Sequence, residues 1–368
     1  MKKCILFVAA LAVLGCADSD KPTLKQVYQD YFKIGAAVNY SVASGKDPDA
    51  HLIAIREMNS ITPENCMKWE HVQPNPGEFT FERADRFVKF GEEHNMFIVG
   101  HTLIWHSQTP EWVFQDDNEG AATRDLLLKR MQEHINAVTG RYAERIQAWD
   151  VLNEAIEEDG SLRQTPWLRI IGEDYIQKAF EFAKQAAPYA ELYYNDYNLW
   201  KPEKRRGAIR EIKKLMDAGV RIDAVGLQGH WRLGDPTLEQ IQAMIEDFAK
   251  LDLKVMITEL DISVLPNVWA MSADVRNSIE KRDDLNPFPG GIPDSVQTQL
   301  TERYQALFRL FLDHHQSIDR VTFWGIYDGT SWLNHYPVRG RTDYPLLFNR
   351  ELQKKPAYDA VIQVAQQH

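Results

Sequence analysis

Ala224-Val225-Gly226-Leu227-Gln228, then a helix-period run over Leu238–Leu251, then Lys254-Val255-Met256-Ile257-Thr258-Glu259 read as one strand–helix–strand unit. Both flanking runs are short, nearly continuous in apolar residues and closed by a polar one. That is the pattern of strands buried on both faces in a parallel sheet.

The same alternation extends in both directions. Strands are expected at Ile34–Asn39, Ser60–Pro63, Phe97–Thr102, Ile146–Asn153, Glu191–Asn195 and Arg320–Trp324 as well. Between them lie helix-period stretches at Phe81–His94, Thr123–Tyr142, Asp174–Ala187, Glu203–Ala218 and Val296–His314, with Gly91, Gly140 and Gly219 falling near helix ends, where a left-handed residue is wanted. Eight β/α units in roughly 340 residues predict an α/β fold, a single-domain (β/α)8 barrel with enlarged loops. A doubly wound sheet is the competitor, but Ile34-Gly35-Ala36-Ala37 lacks the Gly-rich phosphate turn expected after its first strand. The run 267–297 is read as a long loop after the seventh strand, of the kind that shapes a binding site.

Composition narrows the function classes. The 368 residues carry 42 basic and 53 acidic side chains, a net charge of −11, which argues against a phosphate-backbone partner, so no nucleic acid is expected. With 44% hydrophobic and 26% charged residues the chain is globular rather than disordered.

At the N-terminus, Lys2 and Lys3 precede an apolar run from Cys4 to Leu14. It is shorter than the roughly 20 residues a membrane span needs and reads as a secretory signal. Val13-Leu14-Gly15-Cys16 resembles a bacterial lipoprotein box, which would make Cys16 the lipidated first residue of the mature chain. An ordinary signal cleaved nearby is the alternative. The nearby Asp18 and Asp20 resemble a surface-export tract, so the expected location is outside the cytoplasm, at the outer membrane or cell surface. Residues 1–16 are then signal, 17–22 a short tether and 23–368 the catalytic domain. Only Cys66 remains, a small core residue at a strand end, so no intramolecular disulfide and no Cys-based metal site are expected.

In a (β/α)8 barrel, chemistry sits at the C-terminal strand ends. The third strand leads into Gly100-His101-Thr102-Leu103-Ile104-Trp105-His106, the fourth into Trp149-Asp150-Val151-Leu152-Asn153-Glu154, and the sixth into Gln228-Gly229-His230. The seventh leads into Thr258-Glu259-Leu260-Asp261, and the eighth into Phe323-Trp324-Gly325 with Trp332 beyond. Glu154 and Glu259 thus face one another across one mouth, which suits glycoside hydrolysis by a carboxyl pair. Trp105, Trp324 and Trp332 lie at strand ends rather than at helix-core spacing, which favours stacking against sugar rings. A metal site on His101, His106 and His230 is the alternative. His101 and His106 are spaced wrongly for a zinc helix and no HExxH occurs, so neither metal nor cofactor is expected.

These stretches, with Thr62-Pro63-Glu64-Asn65-Cys66-Met67-Lys68-Trp69, Tyr194-Asn195-Asp196-Tyr197-Asn198, Asp328-Gly329-Thr330-Ser331-Trp332-Leu333-Asn334 and Arg339-Gly340-Arg341-Thr342-Asp343-Tyr344-Pro345, resemble the endo-β-1,4-xylanases of glycoside hydrolase family ten. The resemblance runs from about Leu24 to Tyr358. It implies Glu154 as acid/base and Glu259 as nucleophile of a retaining, double-displacement enzyme that cuts internal bonds of xylan and xylooligosaccharides in plant cell walls. It further implies that Asn153 bonds the 2-hydroxyl at the cleavage point, His230 holds Glu259, and Gln228 contacts the acid/base. His101 and Lys68 would bind the 3-hydroxyl, and Glu64 and Asn65 the next sugar on the non-reducing side. Trp105, Trp324 and Trp332 would wall the cleavage subsite, with Tyr197 stacking on the leaving-group side. A monomer is expected. Two alternatives stay open: a cellulase or mixed-linkage glucanase on the same barrel, and a non-catalytic glycan-binding lipoprotein.

Overall fold

Leu227 pairs with Ile257 in register, and this contact closes a ring of strands. The computed structural model describes residues 21–268, 279–280 and 282–368. The strands are β1 (Lys33–Val38), β2 (Ser60–Pro63), β3 (Phe97–Ile104), β4 (Ala148–Asn153), β5 (Glu191–Asp196), β6 (Ala224–Leu227), β7 (His230–Arg232), β8 (Lys254–Ser263) and β9 (Ile318–Phe323). Eight of them run β1–β2–β3–β4–β5–β6–β8–β9 and back to β1, all parallel, with helices outside: the expected (β/α)8 barrel.

Strand β7 was not expected. β6 stops at Leu227, Gly229 turns the chain with φ +85°, and His230–Arg232 pairs instead with the extended end of β8, His230 opposite Asp261. Gly229 supplies a backbone conformation that side-chain-bearing residues rarely adopt. The detour sets His230 beside the strand that carries Glu259.

The barrel is filled, not open. Val99, Ala148, Tyr193, Ala224 and Met256 form an inner cluster with Phe97 packed on it. The buried guanidinium of Arg320 lies over the Phe97 and Tyr193 rings at 5.7 and 5.4 Å. The main core lies between strands and helices, where helix 294–313 buries Leu300, Tyr304, Leu307, Phe308, Phe311 and Leu312 along one stripe. The chain ends are tied together by Glu57, whose Oε2 accepts from the Leu24 amide (2.9 Å) and the Tyr358 hydroxyl (2.8 Å). Leu24 lies before β1 and Glu57 just before β2, and parallel strands all start at one end of the barrel, so the chain enters at the end away from the strand C-termini.

Gly91 and Gly140 do fall near the ends of helices 82–93 and 124–141, but inside the last turn and without the left-handed conformation; a Cβ at Gly91 would meet Ile98 at 2.6 Å, so close packing explains that glycine. Gly219 does follow its helix, with φ +70°. Cys66 is buried but lies past the end of β2, in the turn that leads to Lys68. Of the loop 267–297, residues 269–278 and 281 lie outside the described residues, as do Cys16, the signal and most of the tether. Among the described residues no helix is long and apolar enough to cross a membrane.

Candidate active site

The C-terminal strand ends converge on two carboxylates held by separate sets of donors. Glu154 follows β4 with φ +59°, and its amide donates to the Asn195 carbonyl at 2.9 Å. Its Oε1 accepts from Gln228 Nε2 (3.0 Å) and its Oε2 from the indole N–H of Trp105 (2.9 Å). Glu259, on β8, accepts from Asn195 Nδ2 at Oε1 (2.8 Å) and faces His230 Nε2 at Oε2 (3.1 Å).

Asn195 joins the two sets. Its Nδ2 also donates to Asn153 Oδ1 at 2.9 Å, and its own Oδ1 accepts from the Thr258 hydroxyl at 2.6 Å. With its carbonyl oxygen occupied, Asn153 has its amide N–H groups left for a ligand. Room for Asn195 comes from Gly226, where a Cβ would sit 2.2 Å from Asn195 Oδ1. Asn195 has no role among the expected site residues; its signal in the sequence is a polar residue at the end of a buried strand, opposite a glycine.

His230 bridges two carboxylates. Its Nδ1 lies 3.0 Å from Asp261 Oδ2, so both ring nitrogens face acceptors and the imidazolium form satisfies both. Burial alone would lower its pKa, but Asp261 and Glu259 raise it to about 10. For Glu259, burial pushes the carboxyl up, yet the His230 hydrogen bond and charge, His101 nearby and the Asn195 hydrogen bond outweigh it, and the pKa is lowered. Glu259 is therefore a buried anion. Asp261 Oδ2 also accepts from the indole N–H of Trp332 at 2.8 Å, which fixes that ring against His230.

On the other side, His101 Nδ1 lies 2.8 Å from Asp150 Oδ2, leaving Nε2 as the ring nitrogen available to a ligand, and Trp324 packs edge-on to His101. Lys68 is buried, with Nζ donating to Asn65 Oδ1 (2.9 Å) and Gln108 Oε1 (2.8 Å). Its third N–H stays available. Desolvation lowers the Lys68 pKa against the pull of Glu259, Glu64, Glu154 and Glu70. Asn65 donates to Glu64 at 3.3 Å, and burial raises the Glu64 pKa. Gln108, forty residues from Lys68, carried no sequence signal.

Tyr197 joins these groups from the Glu154 side, through Arg163. Its ring covers the Lys204 ammonium at 3.5 Å, Lys204 pairs with buried Asp196 at 3.0 Å, and its hydroxyl accepts from Arg163 Nη2 at 2.7 Å. All the expected site residues except Cys16 thus line one region. Among the described residues no group of three or more His, Cys, Asp or Glu is arranged to hold a metal ion.

The family model described as Glycosyl hydrolase family 10 matches residues 23–364. The chain is 40% identical to endo-1,4-beta-xylanase A of Xylanibacter ruminicola over 99% of this chain and 100% of that one. It is 42% identical to an endo-1,4-beta-xylanase of Geobacillus stearothermophilus, covering 94% and 99%. A solved GH10 endoxylanase retrieved from a sugarcane soil metagenome superposes with a TM-score of 0.89 at 44% identity, covering 93% of this chain and 99% of that one.

Proposed function

Since the chain belongs to glycosyl hydrolase family 10, we propose that it is a retaining endo-1,4-β-xylanase with Glu259 as nucleophile and Glu154 as acid/base. The observation that carries the assignment is the asymmetry of the pair: Glu259 is a buried anion held by His230 and Asn195, whereas Glu154 meets Gln228 and Trp105. A nucleophile must be ionised before substrate arrives, and the His230 cation keeps it so.

In the first step a Glu259 oxygen bonds to the anomeric carbon as the glycosidic C–O bond breaks, and the Glu154 proton passes to the departing oxygen. In the second, Glu154 takes a proton from water, the water oxygen bonds to the anomeric carbon, and the ester to Glu259 breaks. Two inversions restore the β configuration. Asn153 donates to the 2-hydroxyl of the reacting sugar, His101 and Lys68 bind its 3-hydroxyl, and Glu64 and Asn65 grip the next sugar on the non-reducing side. Trp105, Trp324 and Trp332 wall the ring, and Tyr197 stacks on the leaving-group side. Xylose lacks the hydroxymethyl group of glucose, so Trp324 and Trp332 closing over the ring discriminate sterically against cellulose chains.

The test is product analysis with purified protein on xylan, arabinoxylan and cellulose, with NMR of the first products. Xylobiose and xylotriose as main products, formed as the β-anomer, are expected. Equal turnover of cellohexaose and xylohexaose would transfer the chain to the glucanase reading, α-product would mean inversion, and no hydrolysis would leave a glycan-binding protein.

The sequence Val13-Leu14-Gly15-Cys16 supports a lipid anchor at Cys16. Because the chain enters the barrel at the end away from the site, such an anchor would leave the cleft facing away from the bilayer. Cys16→Ala should release the protein or block its processing, and unchanged membrane fractionation of that variant would refute the anchor.

A further inference from the structure

We propose that Arg163 is the positioning residue of Glu154 and ties it to the leaving-group subsite, an inference that rests on the assignment of Glu154 as acid/base. Arg163 lies nine residues beyond Glu154, in a small hairpin where Ile156 bridges Leu162. One guanidinium makes three kinds of contact. Its Nε donates to the Glu154 carbonyl at 2.9 Å, its Nη2 donates to the Tyr197 hydroxyl at 2.7 Å and the Ile156 carbonyl at 3.4 Å, and its Nη1 lies 3.6 Å from the Glu157 carboxylate.

Glu154 needs such a hold. With φ +59° it occupies the left-handed region, which a side-chain-bearing residue keeps only when its surroundings enforce it. The enforcement comes from both sides: the Glu154 amide donates to Asn195 O, its carbonyl accepts from Arg163 Nε, and the Arg163 amide donates to Ala155 O at 2.8 Å. Tyr197 is fixed in turn, its ring on the Lys204 ammonium and its hydroxyl on Arg163. A sugar that stacks on Tyr197 therefore rests on the same guanidinium that sets the direction of the proton donor. Lysine keeps the charge but has no planar fork to reach Glu154 O and Tyr197 Oη together.

The consequence is confined to leaving groups that need a proton. Arg163→Lys should lower kcat/KM for xylotetraose by about 10²-fold, the scale of a misplacement near 1 Å, and lower that for dinitrophenyl β-xylobioside far less. Tyr197→Phe, which deletes only the hydroxyl partner, should show the same split at smaller size. Parallel losses on both substrates, or no loss in a folded Arg163→Lys variant, would overturn the proposal. If Arg163→Lys does not fold, Tyr197→Phe decides by the same criterion. Failure of the underlying assignment reads differently: the wild-type enzyme would not cleave xylotetraose, or Glu154→Ala would itself show no leaving-group split.

Discussion

His230 and Glu259 meet at 3.1 Å, with Asp261 at 3.0 Å on the far side of the imidazole. The pair titrates in opposite directions from its ordinary values. Glu259 has a lowered pKa, so its active, ionised form persists as pH falls, and His230 has a pKa raised to about 10. In His230→Asn the cation is gone while burial remains, so the Glu259 carboxyl rises and the acidic limb of kcat/KM moves to higher pH. A pH–rate profile with an unmoved acidic limb would show that His230 does not govern Glu259.

The same shifts set a stability window. Because the folded His230 pKa lies above its ordinary 6.5, its contribution is complete below that pH and is lost as pH climbs through about 10. Because Glu259 is depressed, its contribution is present above its ordinary 4.5 and is lost as pH falls through the folded value. Melting temperatures of wild type between pH 7 and 10 should therefore fall more steeply than those of His230→Asn.

The two carboxylates separate by leaving group. Glu154→Ala should lose nearly all activity on xylan yet still form glycosyl-enzyme from a nitrophenyl xylobioside, whose slow breakdown azide should accelerate. Glu259→Ala should be inactive on both substrates, and any azide rescue there should give inverted product. Variants that behave alike on the activated substrate, or exchange behaviours, would reverse the assignment.

Asn195 is the joint between the sets of donors. Asn195→Ala removes a hydrogen bond to Glu259, the partner that orients Asn153 and the acceptor of Thr258. Loss of such a preorganised donor should cost about 10²-fold in kcat on xylohexaose, with the acidic limb shifted upward as for His230→Asn. A folded variant with wild-type kcat and pH profile would remove Asn195 from the machinery.

Gly160 and Gly207 seat the hairpin of Arg163 on helix 202–217. A Cβ at Gly207 would lie 2.3 Å from the Gly160 carbonyl oxygen, and one at Gly160 would lie 2.5 Å from the Glu203 carbonyl oxygen. Both obstacles are backbone, so neither can rotate away. Gly207→Ala should cost about 1–3 kcal/mol of stability, and the displaced hairpin should reproduce the leaving-group split of Arg163→Lys. Thermal melts and the paired substrates check both parts.

Much of the site was legible because a strand end is a local feature. Apolar runs closed by Asn153-Glu154, Gln228 or Thr258-Glu259 mark their own C-termini, and parallel pairing brings such ends to one mouth. Arg163 was not legible: it lies in a loop without periodicity, and its role exists only once the hairpin folds back onto Glu154. Gln108 reaches Lys68 for the same reason, from a turn with φ +47°.

The sequence by itself determined the barrel and put Glu154 and Glu259 at strand ends, since periodicity and strand-end chemistry are written in consecutive residues. Only the tertiary structure decided which polar atoms are already satisfied and which remain for substrate. Asn195 and Glu259 are 64 positions apart, and Gln228 and Glu154 are 74. Bonds across such separations depend on barrel closure, on the β7 detour through Gly229 and on the space left by Gly226. Together these set the direction of each donor, which no local pattern can encode.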